Sequence, residues 1–156
     1  MRIAVVRHGH AEPKQSWTGN DVDRPLIARG RRQAETLARN LAKQKPTRIV
    51  SSPSLRCLQT VQPLGRKRGR DVEVLSWLAP DAGPMAREGI VGLARTEPSS
   101  AFVVVCTHRE VLLDVLPYLE ETFQVKLGHR PPGAKGGVWL LEFRKRRLVR
   151  VTYRAT

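Results

Sequence analysis

The sequence predicts an α/β protein, a sandwich built on a largely parallel central sheet. Three observations carry that expectation. Short, continuous apolar runs such as residues 3–6 and 102–106 read as strands buried on both faces. Longer segments with helical periodicity alternate with them. Polar residues follow several of the apolar runs at once, at the strand ends where sheets of this class bind ligands.

The elements follow in order. Residues 3–6 form the first strand, and Arg7-His8-Gly9 follows it as a functional loop. Residues 17–25 are polar and carry Gly, Asn and Asp, so they read as a loop. Ala34, Leu37, Ala38 and Leu41 share one helical face, and Pro46 closes that helical region. Residues 48–51 are a second strand, which turns out at Ser52-Pro53. A helix is expected over 55–64, stopped by Pro63 and Gly65. Residues 72–75 form a third strand and 80–84 a loop. A helix weakened by Gly89 and Gly92 spans 85–95. Residues 102–106 are the clearest buried strand, and 111–123 a helix with a kink expected at Pro117. A loop over 131–137 leads to two strands, 138–143 and 148–153, joined by a basic turn.

No repeat or long linker divides the 156 residues, which predicts one domain over 1–156. That length supports a real core without metals or disulfides. The two cysteines, Cys57 and Cys106, lack redox or zinc spacing, which fits a reducing cytoplasm. The opening apolar stretch is too short for a signal peptide or a membrane span. The net charge of +14 points to anionic partners: a phosphorylated small molecule, a phosphoprotein or nucleic acid. Aromatic residues make up only 5%, which disfavours a base-stacking nucleic-acid platform. Two dense basic clusters, Arg66-Lys67-Arg68-Gly69-Arg70 and Arg144-Lys145-Arg146-Arg147, read either as solvated turns or as sources of a field that draws anions in.

Two histidines and two arginines stand at three of the strand ends: Arg7-His8, the segment 51–56 with Arg56, and Thr107-His108. A transferring phosphoryl group spreads negative charge over its oxygens, so positioning and charge stabilisation dominate its chemistry. Arginine is always charged and can contact two oxygens at once. A neutral imidazole can attack phosphorus, and nearby arginines keep it neutral. The second histidine can serve as a cation or a hydrogen-bond donor. These groups supply the positive charge that a divalent ion provides elsewhere, so no metal or cofactor is called for. His10 could pair with His8 around a metal, but no carboxylate or cysteine cluster stands beside them. His129 reads as an ordinary loop residue.

Val6-Arg7-His8-Gly9, Ser51-Ser52-Pro53 with Leu55-Arg56-Cys57-Leu58-Gln59-Thr60, and Val105-Cys106-Thr107-His108 resemble the signature segments of the histidine phosphatase superfamily. Arg24-Pro25-Leu26, Gly30 and Gln33-Ala34 resemble a further segment of it, with Ile27 where Thr is usual. The resemblance implies a phosphoglycerate-mutase-like three-layer α/β/α sandwich. It makes His8 the phosphorylated nucleophile, with Arg7, Arg56 and His108 completing the phosphate pocket. The size is similar to SixA-type phosphohistidine phosphatases. The tail, with Lys135-Gly136-Gly137-Val138-Trp139, resembles the phosphatase domain that follows a Nudix domain in mycobacterial proteins of the MutT type. No Nudix box is present, which implies a stand-alone version of that domain.

Many members place a proton-donating Glu after the third strand. Residues 75–81 here contain none, so Asp81 is the nearest candidate and Glu88 a more distant one. Gly9, Trp17, Lys14, Arg29 and Arg109 are the expected substrate contacts. The resulting expectation is a phosphatase working through a phosphohistidine on His8, its substrate a nucleotide di- or polyphosphate. The alternatives are a protein phosphohistidine phosphatase of the SixA type and a non-catalytic phosphate- or nucleic-acid-binding module on the same fold.

Overall fold

The computed structural model describes residues 1–156. Six strands form one sheet: β1 (Arg2–Arg7), β2 (Arg48–Ser51), β3 (Val72–Val74), β4 (Phe102–Thr107), β5 (Val138–Arg144) and β6 (Arg147–Arg154). Four helices connect them: α1 (Ala28–Ala42), α2 (Leu55–Arg68), α3 (Pro84–Thr96) and α4 (Arg109–Phe123). The strand order is β3-β2-β4-β1-β5-β6. The first four of these pair in parallel, while β5 runs antiparallel to β1 and β6 antiparallel to β5. The expected α/β architecture with a largely parallel sheet is the architecture observed.

Alternation along the central strands builds the three layers. Ala4, Val6, Val104 and Cys106 face α1 and α2, where they meet Leu37, Leu41, Val61 and Leu64. Ile3, Val5, Val103 and Val105 face the other way, toward Ile90, Leu112, Leu116 and Trp139. Every residue of β4 is buried, as a strand covered on both faces requires.

One helix ends elsewhere than the sequence predicts. Helix α2 does not stop at Pro63 or Gly65 but runs on to Arg68. Gly65 is a packing residue there: a Cβ would stand 2.8 Å from Arg70 O and 3.2 Å from Val72 Cγ2. The true stop is Gly69, whose φ of 60° forms the left-handed cap. Helix α4 is continuous through Pro117. Gly89 is where Trp77 lies against α3, with its ring 2.3 Å from where a Cβ would be.

Both basic clusters sit at the end of the sheet away from the carboxyl ends of β1 and β4. Glu142 pairs with Arg2 and Val138 with Val6, so the β5–β6 turn at Lys145 and Arg146 lies beyond the start of β1. Arg66, Lys67 and Arg68 form the last turn of α2, just before β3 begins. A six-residue strand spans roughly 20 Å. The Debye length at physiological ionic strength is about 8 Å, so neither cluster projects much field to the other end. The second cluster is a solvated hairpin tip.

Helix α1 is pressed against the loop after β1. A Cβ on Gly30 would lie 2.1 Å from His10 O, a backbone atom that cannot swing away. Gly→Ala inside a helix normally stabilises by up to about 1 kcal/mol. Gly30→Ala is expected to reverse that sign and cost about 1–3 kcal/mol by overpacking, measured by urea unfolding. A stabilised variant would show that α1 is free to move off the loop.

Candidate active site

The site is a consequence of strand register. Arg7 pairs with Thr107 at the carboxyl ends of β1 and β4, and His8 N–H extends the ladder to Thr107 O at 3.1 Å. Ser51 pairs with Cys106, and Ser52 N–H donates to Cys106 O at 3.0 Å. The next residues out, His8, His108 and Ser52, therefore converge. The imidazole centroids of His8 and His108 lie 5.4 Å apart in an edge arrangement.

Both rings are buried, and their tautomers are fixed. His8 Nδ1–H donates to Gly9 O at 2.8 Å, which leaves the Nε2 lone pair free. Burial, reinforced by the cations Arg56, Arg7 and Arg24, lowers its pKa to about 4, against a hydrogen bond to Gly9 that acts the other way. Arg56 Nη2 lies 3.3 Å from His108 Nδ1 and can only donate, so the His108 proton sits on Nε2, 2.7 Å from Ser52 Oγ. Burial, with His8 and Arg56 adding to it, lowers the His108 pKa to about 2. Of the two roles open to the second histidine, burial favours the neutral one.

The arginines are held by backbone and side-chain acceptors. Arg7 Nη1 donates to Gly133 O at 2.6 Å. Burial and the neighbouring Arg109 hold its pKa below the ordinary arginine value. Arg56 Nη1 donates to Asp21 O at 2.8 Å and Nη2 to Asp21 Oδ2 at 3.0 Å. The Nε atoms of Arg7 and Arg56 are buried without a partner. Buried donors of that kind are rare unless a ligand completes them.

These four residues line one cleft of about 670 Å³. Lys14, Asp81 and Arg109, expected as contacts or proton donor, line it too. Trp17 and Arg29 do not. The Trp17 indole donates to Asn20 O at 2.9 Å and lies against Gly19, so it packs its own loop. Arg29 stands on the outer surface of α1 with Arg32 and Thr36. Gly9 is small for a different reason from the one expected. A Cβ there would meet Gln33 Oε1 and Gly30 O at 3.1 Å, so the close approach is to α1 rather than to a ligand. Glu88 lies on α3 and is not among the lining residues. His129 stacks on Tyr153 with centroids 4.1 Å apart.

Sequence reasoning missed several residues. Asp21 bridges Arg56 and Arg24. Partial burial opposes its ionisation, but hydrogen bonds and charge from the two arginines outweigh it and hold its carboxyl below the usual range. Glu12 and Glu110 also line the cleft. Thr60 Oγ1 accepts from Gly9 N–H at 3.0 Å and donates to Arg56 O at 2.7 Å. Gln33 Oε1 accepts from His10 N–H at 2.9 Å, and Gln59 Oε1 from Leu26 N–H at 2.8 Å. Their places inside the quoted motifs were the available signal. No three His, Cys, Asp or Glu side chains converge in a way that could hold a metal ion. No helix is long and apolar enough to cross a membrane.

Comparison with known proteins bears on the same residues. The family model of the histidine phosphatase superfamily (branch 1) matches residues 3–85. An 8-oxo-(d)GTP phosphatase from Mycolicibacterium smegmatis is 30% identical over 158 residues, covering 97% of this chain and 47% of that protein. A glucosyl-3-phosphoglycerate phosphatase from Mycolicibacterium vanbaalenii is 38% identical over 74 residues, 47% of this chain and 33% of that one. The chain thus spans about half or less of the length of these relatives. Among solved structures, the protein histidine phosphatase SixA complexed with tungstate superposes with a TM-score of 0.76 at 23% identity, over 99% of this chain and 95% of that one. With the family model spanning both Arg7-His8 and Arg56, and a relative aligned along nearly the whole chain, the protein belongs to the histidine phosphatase superfamily.

Proposed function

We propose that residues 1–156 act as one phosphatase domain that transfers a phosphoryl group to His8 Nε2 and then to water. The observation that carries this reading is the pair of arginines, Arg7 and Arg56, whose Nε atoms are buried and unpartnered, set beside a neutral imidazole whose only free nitrogen is Nε2. In the first step the N–P bond forms and the bond to the leaving atom breaks, the leaving group taking the electron pair. His8 keeps its proton on Nδ1, where Gly9 O stabilises the cationic ring. In the second step water oxygen bonds to phosphorus, the N–P electrons return to Nε2, and the water proton passes to phosphate or solvent. Arg7 and Arg56 hold the transferring oxygens, preorganised for the charge they carry.

The leaving group needs a proton only if it departs as a strong base. Asp21 is committed to Arg56 and Arg24 as an ionised carboxylate, so it is not that donor. Asp81 at the cleft rim fits the role better. A nucleotide di- or polyphosphate that gives up its terminal phosphoryl group expels the shortened nucleotide through a phosphate oxygen, a weak base that tolerates a remote donor. The 30% identical 8-oxo-(d)GTP phosphatase and the cations Lys14, Arg24, Arg109 and Lys135 around the cleft support that substrate class. One observation favours the second reading, a phosphohistidine protein: no Phe, Tyr or Trp side chain lines the cleft to stack a base. Phosphate release from nucleoside di- and triphosphates and from a phosphohistidine peptide separates the two.

The intermediate is expected to be trapped by quenching labelled substrate in base, and peptide mapping should place the label on His8. His8→Ala should lose both label and turnover. Label on Ser51, Ser52 or Cys57 instead would refute the assignment.

Arg7→Ala and Arg56→Ala should each lower kcat/KM by about 10²-fold or more, as for loss of a preorganised donor. Arg56→Lys should remain impaired, because a point charge cannot hold Asp21, His108 and a phosphoryl oxygen at once. Steady-state kinetics on folded variants checks both, and near-normal turnover would put that arginine outside the pocket.

The His8 ring should stay neutral from pH 8 down to about 5 and titrate near the lowered pKa of about 4. The unfolded chain takes up the His8 proton near pH 6.5, so it binds more protons than the folded chain between those values. Stability should therefore fall as pH drops from about 6.5 toward 4, with His108 adding to the loss. NMR titration of the imidazole protons reads the first effect, and urea unfolding at several pH values the second. A ring that titrates near 6.5 would contradict the burial.

A further inference from the structure

Arg7 is oriented from outside the parallel sheet. The Gly133 carbonyl that fixes its guanidinium belongs to the segment 131–137, which enters β5. On the cleft side, Gly136 N–H donates to Arg7 O at 2.9 Å and to His8 O at 3.1 Å, and Arg7 N–H donates to Gly137 O at 3.0 Å. On the outer side the segment rests on aromatic side chains. The Trp139 indole donates to Pro132 O at 3.0 Å, and Ala134 N–H donates to the Tyr153 hydroxyl at 2.7 Å. Tyr153 is itself fixed, stacked on His129 at 4.1 Å and tilted against Trp139 at 4.8 Å. Gly133 (φ 77°) lies on the Tyr153 ring, which would stand 2.5 Å from a Cβ there, and Gly137 has the Tyr153 hydroxyl 2.6 Å from the same position. The ring is the surface over which the segment folds.

We propose that Tyr153 is a positioning residue for phosphoryl transfer, acting through the Gly133 carbonyl on the Arg7 guanidinium. This rests on the reading that Arg7 contacts the phosphoryl group. Ala134 N–H, held by the Tyr153 hydroxyl, is the peptide group that follows the Gly133 carbonyl. Loss of that anchor lets the carbonyl turn and releases the Arg7 fork from its plane. Displacements well below 1 Å suffice to misalign a forked contact, without any change in the residues that touch substrate. Trp139, wholly buried, supports the neighbouring carbonyl of Pro132 in the same way.

Tyr153→Phe keeps the stacked ring and removes the acceptor. With p-nitrophenyl phosphate, kcat/KM is expected to fall about five- to tenfold, the scale of one lost hydrogen bond. Inhibition by orthovanadate should weaken by a similar factor, while the thermal midpoint moves by only a few degrees. His129→Ala, which removes the stacking partner and leaves the hydroxyl, should move both constants in the same direction by less. The decisive comparison uses the Arg7→Ala background, where adding Tyr153→Phe should change neither constant further, because the path runs through the missing guanidinium. The same loss in that background would overturn the proposal. So would a Tyr153→Phe protein with a lowered midpoint and normal kinetics. If Arg7→Ala itself has normal turnover, the phosphate-pocket reading falls and this proposal falls with it. If Arg7→Ala is impaired and Tyr153→Phe is not, only the positioning role is lost.

Discussion

The parallel pairing of β1 with β4 is the constraint on which the site depends. Setting Arg7 opposite Thr107 puts His8 and His108 side by side at two strand ends, where little of either ring is left to water. Once the rings are there, their charged forms are disfavoured, and the arginines needed to bind an anion disfavour them further. A one-residue slip of β1 would send His8 into the opposite layer and exchange Ala4 and Val6 for Ile3 and Val5. The apolar alternation that fills the two cores therefore also fixes the place of His8.

Burying Arg56 and two imidazoles, with Arg7 part-buried beside them, without a full set of acceptors works against stability, and the surrounding polar residues limit that cost. Asp21 supplies Arg56 with a carboxylate and a carbonyl, and Gly133 supplies Arg7 with a carbonyl. Thr60 joins the Gly9 amide to the Arg56 carbonyl, so the loop after β1 is tied to the first turn of α2. Gln33 does the same between His10 and the segment at Lys135. What stays unpaired is the Nε of each arginine. Two of the three buried unpartnered Nε atoms thus stand where an anion would relieve them, the third being that of Arg68 at the end of α2, and this links anion binding at the cleft to folding stability by mass action.

The residues legible in the sequence were those tied to strand ends. Apolar runs located β1, β2 and β4, and the polar residues after them had to fall at one edge of a parallel sheet; His8, Arg7, Arg56 and His108 all line the cleft found there. Long-range contacts between loops were not legible. Asp21 reaches Arg56 across 35 residues, and Gly133 reaches Arg7 across 126, with no periodicity to announce either. Trp17 and Arg29 were misplaced for the same reason: the direction of a loop tip or a helix surface is set by packing, not by local pattern. Helix α2 ran past Pro63 because tertiary contacts on Val61, Leu64 and Gly65 outweigh one lost hydrogen bond.

Net charge was a coarser guide than its placement. Much of the excess that gives +14 stands at the end of the sheet opposite the cleft, roughly 20 Å away, against a Debye length of about 8 Å. Around the cleft the charge is mixed: Arg7, Arg24, Arg56, Arg109, Lys14 and Lys135 are interleaved with Glu12, Asp21, Asp81 and Glu110. Such a rim does not attract every polyanion. It matches a ligand whose negative charge is compact and enters between the carboxylates, where the two buried arginines meet it at short range. For the proposed nucleotide substrate the carboxylates then set direction as much as the cations do, since a second phosphate would be repelled by Glu12 or Glu110 and drawn toward Lys14, Arg24, Arg109 or Lys135.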